Sequence, residues 1–140
     1  MLDTSALLAF IEAEDGADRV REVLARDTAS IPFAAILELR YITLRERGQA
    51  EADMRHALLK QTGAEIIWSV DEPVLLTAAR YKASYRLSLG DAMIAAYARM
   101  RGAVLIHKDP EFAALSGELR MERLPFKPAV KSRRDMRHAV

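Results

Sequence analysis

Four acidic residues of this 140-residue chain stand where a carboxylate can do more than solvate a surface: Asp3, Glu38, Asp91 and Asp109. Two of them fall within residues 88–112, SLGDAMIAAYARMRGAVLIHKDPEF. Ser88 is a good helix N-cap, and Asp91 three residues on completes a capping pattern. Ala92, Ile94, Ala95, Ala96 and Ala98 give a narrow helix that can lie close to a sheet, and Gly102 suits its C-terminal end. Residues 103–106 form a short apolar run suited to a strand buried on both faces. His107-Lys108-Asp109-Pro110 follows, with Asp109 at a cap position and Pro110 at the first helical one. Asp109 thus ends a strand on the edge where open α/β sheets bind ligands. Acids at helix starts also serve as plain caps, so this segment alone leaves both readings open.

The remaining elements decide what stands nearby. Residues 1–5 allow at most a very short strand with Asp3 at its carboxyl end. Residues 6–11 are apolar and belong to a helix starting near Thr4 or Ser5, followed by a polar break at 12–16 and a helix at 17–26. A short strand is expected within 28–32 and a long helix over 33–47, ended by Gly48. Glu38 sits on that helix among Ala34, Ala35, Tyr41 and Ile42, where an acid either reaches out to water or needs a partner. A helix over 49–62 is closed by Gly63. Ile66-Ile67-Trp68 reads as a strand that Val70 extends, and Asp71 reads as an ordinary N-cap for a helix with Pro73 in its first turn. After Phe112 come a helical turn and an edge strand around 121–124, stopped by Pro125 and Pro128.

This alternation predicts an α/β fold: a three-layer α/β/α sandwich on a mostly parallel sheet. Right-handed crossovers then put every strand's carboxyl end on one rim. Asp3 and Asp109 end strands there, and Asp91 and Glu38 lie in helices that start from it. Clustered carboxylates repel one another and must take up protons or a cation. With oxygen donors alone, Mg²⁺ or Mn²⁺ is the fitting ion, and such a site suits phosphodiester hydrolysis.

Composition is that of an ordinary globular chain, 51% hydrophobic and 29% charged with a net charge of +1, so no global basic field points to nucleic acid. Charge is uneven, however: residues 127–138 carry Lys127, Lys131, Arg133, Arg134 and Arg137 against Asp135. We therefore expect a domain over residues 1–125 and a basic tail over 126–140 that is mobile and solvated, or touches RNA phosphates. The absence of cysteine excludes disulfides and thiolate metal sites and fits a reducing, cytoplasmic setting. The histidines, His56, His107 and His138, lack zinc spacing, and no apolar run approaches a membrane span.

Asp3-Thr4-Ser5 before an apolar helix, Ile36-Leu37-Glu38-Leu39, residues 87–96 around Asp91, and residues 104–112 around Asp109 together resemble the four acidic motifs of PIN domains. The resemblance runs from Met1 to about Leu124, and size and motif set resemble VapC-type toxins, the ribonuclease half of bacterial toxin–antitoxin pairs. It implies a Mg²⁺-dependent endoribonuclease, a homodimer, and inhibition by a small cognate antitoxin. Asp3, Glu38, Asp91 and Asp109 match the family's acids, with Asp3 and Asp91 the firmest metal ligands. Ser5 or Thr4 matches a hydroxyl that supports Asp3. The chain departs from the family in having few residues before its first Asp, so either the first strand is truncated or Met1 is a late start. It also has His107 where the family has Thr or Ser, either packing at the turn or contacting phosphate. Two alternatives stand beside the nuclease: a catalytically impaired PIN-like module binding RNA or protein, and an aspartyl-phosphate enzyme. The latter expects an Asp where Ser5 stands.

Overall fold

In the computed structural model, which describes residues 1–26 and 28–125, two parallel strand pairs are joined by the start of the chain. Strand β1 (Ser30–Pro32) pairs with β2 (Glu65–Ile67), and β3 (Leu105–His107) with β4 (Met121–Arg123), both parallel. Leu2 lies between the pairs. It bridges Ile106 in parallel register, and its N–H donates to Ser30 O at 3.0 Å. Ile106 N–H donates to Met1 O at 2.8 Å, Asp3 N–H to Ile106 O at 3.2 Å, and the terminal amine to Val104 O at 2.9 Å. The first strand is thus as short as expected, a single bridge. Backbone bonds on both sides and the complete burial of Leu2 hold it in place.

Every residue of β1 and β3 is buried, so both faces of the sheet's middle are covered, as parallel strands require. Helices supply the cover: α1 (Thr4–Ile11), α2 (Ala17–Leu24), α3 (Phe33–Arg47), α4 (Gln49–Gln61), α5 (Glu72–Ser84) and α6 (Leu89–Arg101). This is the expected α/β layering. In α6, Ala92, Ile94, Ala95, Ala96 and Ala98 are all without exposure, so the helix is enclosed on more than one side. Gly102 ends it in the left-handed conformation at φ 59°, with Ala103 N–H reaching back to Ala98 O at 3.0 Å.

Several element boundaries differ from the sequence expectation, three of them for reasons the structure makes plain. Strand β3 begins at Leu105 rather than at residue 103, because Ala103 is committed to the cap of α6. Strand β2 stops at Ile67, where its partner β1 turns into α3, and Trp68 and Val70 are left exposed. The segment after Asp109 is a 3₁₀ helix (Pro110–Leu115), in which Phe112 and Leu115 are the buried residues. A spacing of three puts them on the same side of a 3₁₀ turn.

Charge also enters the interior. Arg55 on α4 is only 5% exposed and donates to Glu51 (3.1 Å), Glu12 (3.3 Å) and the Thr43 hydroxyl (3.3 Å). The bonds tie α4 to the end of α1 and to α3. The basic stretch of residues 127–138 lies outside the described residues, and no described helix is long and apolar enough to cross a membrane.

Candidate metal centre

Asp3 closes the first strand and caps α1. Its Oδ1 accepts from Ala6 N–H at 2.8 Å, and the Ser5 hydroxyl lies 2.8 and 2.7 Å from its two oxygens. Ser5 in turn accepts the Lys108 N–H at 2.8 Å, so one hydroxyl links the first strand to the turn after β3. This selects Ser5 over Thr4 as the supporting hydroxyl; Thr4 Oγ1 is buried without a hydrogen-bond partner. Asp3 is 2% exposed, and burial pushes its carboxyl up to about 7, with the Asp91 charge adding to the shift.

Asp91 sits in the first turn of α6, where Ser88 accepts its N–H at 3.1 Å, as the capping pattern predicted. It is 7% exposed, and burial, followed by Glu38, Asp109 and Glu111, raises its carboxyl to about 6. Carboxylate oxygens of Asp91, Asp109 and Glu111 all lie within 4.8 Å of one another. Asp109 caps the 3₁₀ helix through Oδ1, which accepts from Glu111 N–H at 2.9 Å. Glu38 is half-buried on α3. A Cβ added to Gly90 would stand 3.1 Å from its Oε2, so its carboxylate leans closely over the start of α6.

The structure therefore brings Asp91 and Asp109 together directly, with Glu38 close enough for its charge to act on Asp91 and Asp3 close enough to feel the charge of Asp91. Glu111 joins them and was not singled out from sequence. Its signal is an acid two residues beyond Asp109 across a proline, which sets both in one tight turn. Asp71 is the plain cap expected, its Oδ1 accepting from Val74 N–H at 3.0 Å.

Among the described residues, no basic side chain forms an ion pair with any of these five acids. Lys108, next to Asp109 in sequence, turns instead to Glu14 Oε2 (3.4 Å) and Asp15 O (2.9 Å). His107 is 3% exposed, packs its ring 5.0 Å from that of Phe112, and has its basicity lowered chiefly by burial. Clustered carboxylates, two of them (Asp3 and Asp91) with raised proton affinity and none paired with a basic side chain among the described residues, fit a hard divalent ion rather than a metal that prefers nitrogen or sulfur.

Beside Glu38, an apolar groove of about 370 Å³ runs between α3 and α6, lined by Phe33, Leu37, Tyr41, Leu89 and Met93. Leu37 and Leu89 are each 61% exposed along it.

A family model described as PIN domain matches residues 1–118. Solved structures of similar fold include VapBC2 from Rickettsia felis bound to a DNA fragment from its promoter, at 17% identity, covering 89% of this chain and 98% of that one, with a TM-score of 0.73. VapBC-1 from nontypeable Haemophilus influenzae is 20% identical over 88% of this chain and 96% of that one, with a TM-score of 0.69. VapBC-5 from Mycobacterium tuberculosis, of the VapBC family of toxin-antitoxin systems, is 24% identical over 89% and 96%, with a TM-score of 0.59. At these identities the likeness is one of fold. No curated protein matches the chain in sequence.

Proposed function

From the premise that this chain belongs to the PIN domain family, we propose that it is a Mg²⁺- or Mn²⁺-dependent endoribonuclease, the toxin component of a type II toxin–antitoxin system. The observation that carries this reading is the acid cluster itself. Residues far apart in the chain place carboxylates at one rim, two of them with strongly raised proton affinity, and none has a basic partner among the described residues. A purely structural cluster would gain from a nearby Lys or Arg, and Lys108 is at hand but held elsewhere.

Asp91, Asp109 and Glu111 would hold the ion through one oxygen each, with Asp3 and Glu38 completing the negative field. When bound, the metal supplies an oriented, activated water and stabilises charge on the phosphate. The chain's own part is placement. Ser5 and the Ala6 N–H fix the Asp3 carboxylate, and the Ser88 cap sets the first turn that carries Asp91. Burial of Asp3 and Asp91 keeps competing water away and makes each carboxylate a stronger oxygen donor.

RNA as substrate, a cytoplasmic location, a cognate antitoxin and a homodimer belong to the same proposal, supported by the family and by neighbours that are VapBC complexes. The exposed apolar groove beside Glu38 supports a protein partner near the site. The impaired-module reading gains nothing from the site, whose Asp91 is linked electrostatically to each of Asp3, Glu38 and Asp109.

The test is cleavage of single-stranded RNA by the purified chain. We expect cutting with Mg²⁺ or Mn²⁺, none with EDTA, and a loss of about 10³-fold or more in Asp91→Asn, since the whole ion site is compromised. Equal cutting by the parent and Asp91→Asn would remove Asp91 from the reading.

A further inference from the structure

The turn that carries Asp109 and Glu111 is held by three side-chain acceptors. Lys108 N–H donates to Ser5 Oγ at 2.8 Å, Asp109 N–H to His107 Nδ1 at 3.2 Å, and Glu111 N–H to Asp109 Oδ1 at 2.9 Å. The Ser5 bond belongs to the support of Asp3 and the last bond is a helix cap. The His107 bond has no such explanation. His107 ends β3, where its carbonyl accepts from Leu124 N–H at 2.7 Å, and its buried ring lies against Phe112. Backbone and ring are therefore both fixed, and Nδ1 is presented to the amide two residues on. Nδ1 occupies the branch position that Oδ1 has in Asn, so an imidazole here does what a carboxamide does in an Asx-turn. Accepting at Nδ1 leaves the ring hydrogen on Nε2.

We propose that His107 is a positioning residue for the metal centre: by holding the Asp109 N–H, it keeps the Asp109 and Glu111 carboxylates within reach of Asp91. The restraint matters because these carboxylates repel one another, and a free turn would relax outward. The proposal deepens the nuclease reading, on which it rests for the use made of the ion. The hydrogen bond itself is independent of that use.

Two substitutions in the full-length chain separate positioning from packing. His107→Asn keeps an acceptor and loses the ring; His107→Leu keeps apolar bulk against Phe112 and loses the acceptor. The readouts are Mn²⁺ affinity by calorimetry and amide hydrogen exchange of Asp109 in metal-free protein. We expect His107→Leu to bind Mn²⁺ about tenfold more weakly and to exchange the Asp109 amide faster, with His107→Asn close to the parent in both. Parent-like binding by His107→Leu, or an equal loss in both variants, would overturn the proposal. A parent protein that binds Mn²⁺ yet cuts no RNA would sink the endoribonuclease reading and leave the His107 assignment standing.

Discussion

Two places in this molecule bury charge, and they do so in opposite ways. At Arg55 the guanidinium meets Glu51, Glu12 and the Thr43 hydroxyl, and the two carboxylates remain about 30% exposed. Charge and hydrogen-bond capacity are matched there, so the site joins α4 to α1 and α3. At the sheet's rim, Asp3 and Asp91 are as deeply buried as Arg55, yet the charges that perturb them are those of other acids. One site is complete within the described chain; the other, on the reading proposed above, is completed by a cation. Buried charge that the fold compensates reads as structure, and buried charge that it leaves uncompensated reads as function.

Reciprocal substitutions should break this contrast most sharply. Arg55→Met should destabilise the fold by about 2–4 kcal/mol, measured by urea unfolding, because two carboxylates lose their partner. Asp91→Asn should leave metal-free stability unchanged or raise it by about 1 kcal/mol, since it removes a repelling charge while ending activity. If Asp91→Asn unfolds the protein as readily as Arg55→Met, the rim acids are structural after all.

Acidity sharpens the comparison next. Asp3 and Asp91 bind protons more tightly in the folded chain, near pH 7 and 6, than in the unfolded one, near 3.8. The folded state therefore holds the extra protons between about pH 4 and 7, and metal-free stability falls as pH rises through that window. A loss of about 2–4 kcal/mol between pH 5 and 8 is expected, and saturating Mg²⁺ should flatten the curve. Unfolding midpoints across that range, with and without Mg²⁺, check it; a metal-free curve that rises with pH contradicts it.

The smallest effect concerns Ser5→Ala. Losing one hydroxyl that serves both Asp3 and the Lys108 N–H should weaken Mn²⁺ binding about three- to tenfold by calorimetry, with little change in fold. Unchanged affinity would show that Asp3 needs no such support.

What was legible in the sequence was local or periodic. Caps at Asp71, Ser88 and Asp109 and the glycine stop at Gly102 act over three or four residues, so their chemistry is written next to their effect. The four rim acids were readable because alternating strands and helices place strand ends together. Glu111 was missed because an acid in a first turn is ordinary until Asp91 is known to face it. Arg55 was missed for a similar reason. On its own helix it looks like one more wet-face arginine, and only the packing of α4 against α1 and α3 buries it. Strand limits failed where a neighbour set them, as at Ile67, where β2 stops because β1 has already turned into α3.

The short bridge at Leu2 has a kinetic consequence. Its partner Ile106 is more than a hundred positions away, so the two strand pairs cannot join until most of the described chain exists. Contacts this distant in sequence form late and slow the search for the native topology. Asp3 rides on that bridge, so the rim gains its first acid only when the sheet closes. A half-folded molecule in which this bridge has not formed therefore lacks Asp3 at the rim.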